Sequence, residues 1–221
     1  MIRTRQSENQ TGLFDEDVVE PGPSSLAQLR KAATTCERCP LFENATQTVF
    51  GEGPADAPVI FVGEQPGDQE DLQGKPFVGP AGRMLDRALE EAGINRKRVY
   101  VTNAVKHFKF ETRGKRRLHK KPNGYEIDRC RWWLDREIAV IKPQLAVALG
   151  VTAARSLLSR AVTIARVRGE FVKLRDGVDA FVTVHPSSLL RAPDEAARAL
   201  EYAKFVHDMR LVAHRVPAIR A

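Results

Sequence analysis

A chain of 221 residues with 43% hydrophobic content holds enough apolar material for a substantial core, which excludes a disordered protein. No apolar run approaches a membrane span and the N-terminus lacks the apolar core of a secretory leader, so a soluble, cytoplasmic protein with no membrane attachment is expected. The formal net charge is +7, yet residues 1–22 carry five acids against two bases, so the remainder is strongly basic and suited to a polyanion.

In chain order, residues 1–22 lead into Pro21-Gly22-Pro23 and are expected to be a flexible acidic tail ahead of a single domain, 23–221. Ser24 or Ser25 caps a first predicted helix running to about Thr35, with Leu26, Leu29, Ala32 and Ala33 on one face. Cys36-Glu37-Arg38-Cys39 follows at once. With Cys130 the cysteines number three, which argues against a disulfide framework, and the CxxC spacing suits a metal or cluster. Pro58–Gly63 reads as a buried strand and feeds a Gly- and Pro-rich loop ending at Gly82. A helix with Met84, Leu85, Ala88 and Leu89 inward stops at Gly93, and Val99–Val105 makes a second strand. Asn123 caps a third long helix reaching about Ile141, Leu145–Gly150 is a strand, and Thr152–Leu158 a short helix. Val162–Val172 is strand-like with a turn at Gly169, Phe181–Val184 is a last core strand, and Pro193-Asp194 opens a long C-terminal helix.

Strands alternating with helices predict an α/β fold: three layers, α/β/α, around a mostly parallel four-stranded sheet. Active sites in such sheets lie beyond the carboxyl ends of the strands. The loops expected there, 63–82, 103–123, 150–152 and 185–191, contain every unusual residue apart from the cysteines.

The loop 103–123 holds the densest charge. Between Lys106 and Lys121 stand eight Lys or Arg residues against Glu111 alone, a net of +7, and Lys115-Arg116-Arg117-Leu118-His119 is its centre. Such a block is an electrostatic footprint for nucleic acid. His119 is the side chain in that run able to act as a neutral base or nucleophile near pH 7. In Gly63-Glu64-Gln65-Pro66-Gly67-Asp68 a strand delivers acids to a cleft, and no P-loop ending is present. Phe77, in a polar loop, suits a stacking surface for a flat ligand. Asn103 can read the edge of a pyrimidine or simply close a turn. His185-Pro186-Ser187-Ser188-Leu189-Leu190-Arg191 combines a histidine, two hydroxyls suited to phosphate, two leucines that could wedge into a base stack, and a cation.

Taken jointly, GEQPG at 63–67, GKPFVGPAG at 74–82, VTNAVK at 101–106 and HPSSLLR at 185–191 resemble the uracil-DNA glycosylase superfamily. The CxxC and Cys130 are similar to its iron-sulfur branch, often called family four, and Gln65 with the KRRLH segment resembles the UdgX type, which becomes attached to uracil-containing DNA. The resemblance covers about residues 30–215. It implies a [4Fe-4S] cluster held by Cys36, Cys39, Cys130 and, at the fourth position, His107. Zinc is chemically allowed on the same ligands. It implies uracil flipped out of DNA, stacked on Phe77 and bound by Asn103 and Gln65. Glu64, Gln65, Asp68 and His185 would stabilise the separating charges, and His119 would capture the anomeric carbon, giving a single-turnover protein of DNA repair. Lys115, Arg116, Arg117, Ser187, Ser188, Leu189 and Arg191 would contact DNA, for which the basic loop suggests single strands, and a monomer is expected. The alternative is an iron-sulfur glycosylase that turns over with water as nucleophile.

Overall fold

The computed structural model describes residues 24–174 and 177–221; the acidic tail at 1–22 lies outside the described residues. Five strands form the central sheet: β1 (Val59–Gly63), β2 (Val99–Asn103), β5 (Leu145–Leu149), β6 (Phe171–Lys173) and β7 (Asp179–Thr183). Their spatial order is β2-β1-β5-β7-β6, with β1, β2, β5 and β7 parallel and β6 antiparallel at the edge. The sheet thus has five strands where the sequence suggested four. The extra one comes from Val162–Val172, which divides into a one-turn helix α6 (Ile164–Val167) and β6. Three residues of an edge strand are too few to print an alternating pattern.

Every residue of β1, β2 and β5 is buried, because helices cover both faces. Val59, Phe61, Val101, Val147 and Phe181 face one core, where they meet α3 (Pro80–Glu91) and α8 (Glu195–Arg215). Ile60, Val62, Ala146, Ala148 and Val182 face the other, against α4 (Gly124–Ile141) and α5 (Val151–Leu158). Each such fully buried Leu, Ile or Phe contributes about 1.5–3 kcal/mol. A third cluster lies at the N-terminal side, where α1 (Leu26–Ala33) packs on α4 and encloses Cys36, Cys39, Cys130 and Trp133.

The chain leaves β1 toward β2 on one side, and β5 lies on the other side of β1. That is a topological switch point, the crevice where open α/β sheets bind ligands. Two short helices line it, α2 (Asp68–Gln73) and α7 (Pro186–Leu189). The basic run is a β-hairpin, not an open loop: β3 (Phe110–Arg113) pairs antiparallel with β4 (Arg116–His119) around Gly114, whose φ of 60° is left-handed.

Candidate active site

A cleft of about 940 Å³ opens over the switch point and is lined by Glu64, Phe77, Asn103, His119, His185 and Leu190, among others. Three separate loops, 63–82, 103–123 and 185–191, thus bring most of the residues singled out from the sequence to one place, whereas Lys115, Arg116, Arg117 and Leu189 do not line it. Gly63 is what allows Asn103 and Phe77 to meet there. A Cβ at Gly63 would collide with Asn103 Oδ1 and stand 2.7 Å from the Phe77 ring. Phe77 itself is buried with φ of 58°, a left-handed conformation that costs a non-glycine residue roughly 1–2 kcal/mol. The backbone of Phe77 in turn leaves no space for a Cβ at Gly82. Backbone strain of this kind clusters at ligand sites.

Glu64 is held at both oxygens. Thr152, buried at the start of α5, donates its hydroxyl to Oε2 at 2.5 Å, and His119 Nε2 stands 3.2 Å from Oε1. Burial alone would raise the carboxyl pKa, but hydrogen bonds from His119 and Thr152 outweigh it and hold Glu64 ionised below the usual range. Sequence reasoning flagged the 150–152 loop but missed Thr152; its partner lies 88 residues away.

His185 closes β7 and caps α7. Burial pushes its pKa down to about 4, so the imidazole is neutral near pH 7. The Ser187 amide donates to Nδ1 at 3.2 Å, which fixes the tautomer with hydrogen on Nε2. The Ser187 hydroxyl lies 2.8 Å from the same Nδ1 and accepts from Arg191, while the Ser188 hydroxyl donates to the His185 carbonyl. Leu189, expected to reach DNA, is 2% exposed in the core, and its neighbour Leu190 is 39% exposed at the cleft. A one-turn helix is too short for periodicity to tell the two apart.

The hairpin carrying His119 is strapped down from two sides. Gln65 donates to the carbonyls of Lys109 and Lys120, at 3.0 and 3.2 Å, and accepts from the Lys109 amide, closing the hairpin at its base. Gln65 thereby holds the two ends of the segment that carries Lys115–His119, without touching those residues themselves. Arg117 reaches across to α2, with Nε on Asp68 and a terminal nitrogen on the buried Asp71, each at 2.6 Å. Its guanidinium also lies over the rings of Phe108 and Phe110. Asp68 and Arg117 therefore hold each other at the cleft edge, whereas Lys115 and Arg116 stay exposed with no carboxylate partner among the described residues.

Cys36, Cys39 and Cys130 are buried free thiols in one cluster. Burial raises the thiol pKa of Cys130 to about 12, opposed by the Lys106 charge and by the Lys106 amide, which donates to its sulfur at 3.1 Å. Trp133 Nε1 donates to Cys36 Sγ, also at 3.1 Å. His107 is buried, its Nε2 2.9 Å from the Thr48 hydroxyl and its Nδ1 without a partner. Among the described residues no group of three or more acidic, His or Cys side chains stands at metal-binding spacing. The sulfurs nevertheless suit a thiolate-bound centre: all three lie in one buried cluster, with N–H groups aimed at two of them and the Lys106 charge nearby.

The sequence profile described as the Uracil DNA glycosylase superfamily matches residues 50–210. The chain is 41% identical over 157 residues to a Type-4 uracil-DNA glycosylase of Thermotoga maritima, covering 71% of this chain and 78% of that protein. It is 35% identical to a Type-4 uracil-DNA glycosylase of Pyrobaculum aerophilum, with 76% and 86% covered. To the Type-4 uracil-DNA glycosylase of Archaeoglobus fulgidus it is 33% identical, with 76% and 85% covered.

Proposed function

Because the chain belongs to the uracil DNA glycosylase superfamily, we propose that it excises uracil from DNA and ends bonded through His119 to the abasic sugar, as in the UdgX type. One observation carries this reading: a histidine on a strapped hairpin, its ring 3.2 Å from a fixed carboxylate at the mouth of the cleft.

The flipped base stacks on Phe77 and presents its edge to Asn103, while Leu190, not Leu189, props the gap left in the stack. As the bond from C1′ to uracil N1 breaks, its electron pair leaves with the base. Neutral His185 donates Nε2–H to the uracil oxygen where charge develops, without having to lose a positive charge first. Ionised Glu64 faces the cationic sugar. His119 then bonds to C1′ through the ring nitrogen that does not face Glu64, and Glu64 takes the ring proton from the other. Tethering gives the imidazole an effective concentration of order 10⁵ M or more, enough to outcompete water. An alkylated imidazole is a poor leaving group, so turnover stops after one event.

Cys36, Cys39 and Cys130 with His107 would hold an iron-sulfur cluster or zinc. When bound, that group supplies a rigid tie between the N-terminal segment, the turn after β2 and α4. Lys115 and Arg116 bind phosphates, preferentially of single strands, and the protein acts as a cytoplasmic monomer in DNA repair. One domain at 23–221 remains part of this reading.

A second reading, turnover with water as nucleophile, is favoured by the names of the Type-4 relatives. A denaturing gel separates the two. Wild type mixed with a uracil oligonucleotide is expected to give a heat- and detergent-stable shifted band that His119→Ala loses entirely while still releasing uracil. Repeated uracil release by wild type with no shifted band establishes the second reading instead.

A further inference from the structure

The reaction leaves one buried charge pair unused. We propose that Lys106 is a positioning residue for Asn103, and that the buried Lys106–Glu137 pair aims the base-reading amide into the cleft from behind. The inference rests on Asn103 reading uracil.

Lys106 and Glu137 are both 0% exposed. The three ammonium hydrogens are all used, on Glu137 Oε2 at 2.5 Å, the Thr102 hydroxyl at 2.5 Å and the Asn103 carbonyl at 2.8 Å. Glu137 Oε1 accepts from the Tyr100 hydroxyl at 2.8 Å and the Gly51 amide at 3.2 Å, and Thr102 donates to the same carboxylate. A fully satisfied network of this kind fixes one arrangement of its members. A buried ion pair is a poor means of stabilisation, because an apolar pair of similar volume often does as well. Its placement is therefore more telling than its strength.

That placement is the turn just beyond β2. Lys106 Nζ reaches back three residues to the Asn103 carbonyl, while its own amide holds Cys130 Sγ. Asn103 is 3% exposed and lines the cleft, and among the described residues its side chain is hydrogen-bonded to no other residue. Gly63 and Phe77 confine it sideways. Its direction thus follows from the backbone of Thr102 and Asn103, which the sheet register with Val62 and Gly63 holds on one side and Lys106 on the other. The same residue ties this turn to the cysteine cluster, so the sulfur centre and the base-reading amide share one support.

The test is single-turnover uracil release from a single-stranded uracil oligonucleotide by full-length protein. Lys106→Met with Glu137→Gln leaves no unpaired charge and keeps an acceptor for Tyr100, Thr102 and Gly51. It is expected to slow release about tenfold or more, with oligonucleotide affinity and bound-metal content unchanged. Added to Asn103→Ala, the same pair of changes is expected to cause no further slowing. An unchanged rate, or equal slowing with and without Asn103, overturns the inference. If the double variant cannot be purified, Glu137→Gln alone decides: about threefold slowing that vanishes in the Asn103→Ala background is expected, and any other pattern overturns it. A wild type that releases no uracil overturns the proposed function itself, a distinct outcome.

Discussion

Two halves of the crossover between β2 and α4 carry their cations in opposite ways. In residues 103–109, Lys106 is sealed against Glu137 and Lys109 is paired with both oxygens of Glu126 at 2.8 Å. In the hairpin that follows, Arg117 turns inward to Asp68 and Asp71, while Arg113, Lys115 and Arg116 point to solvent without carboxylate partners among the described residues. A count of eight cations over this stretch therefore overstates what a polyanion can meet. The inner charges set geometry, and the outer ones are those the proposed function assigns to phosphate.

That contrast can be broken at Arg117. Arg117→Ala leaves the fully buried Asp71 carboxylate without its cation, which costs on the order of 3 kcal/mol, and frees the hairpin from α2. Adduct formation on a uracil oligonucleotide is expected to slow at least tenfold, with little change in the salt dependence of DNA binding. A phosphate-binding Arg117 would instead lower that dependence by about one unit of slope. The outer pair should behave in the reverse sense. Lys115→Ala with Arg116→Ala is expected to reduce the slope of log affinity against log salt by roughly 1.5 for single-stranded DNA, measured by fluorescence titration, with adduct chemistry retained at saturating DNA.

A smaller effect concerns His185. Its ring is neutral when folded, with a pKa depressed from 6.5 to about 4. Unfolded chains thus bind a proton that the native protein refuses between those values, and stability falls as the pH drops through that window. From this group the loss is about 3 kcal/mol at most and is absent above pH 6.5. Thermal unfolding of wild type and His185→Asn from pH 7 to pH 4 measures it; the variant is expected to lose less stability across the range.

Much of this is legible in the sequence. The alternation of apolar runs and helical periods placed the four functional loops at one end of the sheet, and β1, β2, β5 and β7 fall where apolar runs stood. The hairpin was not legible, because its stabilising face is made of Phe108, Phe110 and the Arg117 guanidinium rather than an alternating apolar row. Thr152 and Glu137 escaped for another reason: each acts through a partner more than thirty residues distant, which no local pattern reveals. In the sequence Lys106 reads as part of a surface charge block, because sequence gives a charge its sign but not its burial.

The most direct measurement is intact mass and peptide mapping of wild-type protein after incubation with a uracil-containing single-stranded oligonucleotide. The account predicts one species, protein plus oligonucleotide minus uracil, with the DNA attached to the peptide bearing His119. Unmodified protein together with several moles of uracil released per mole would contradict it.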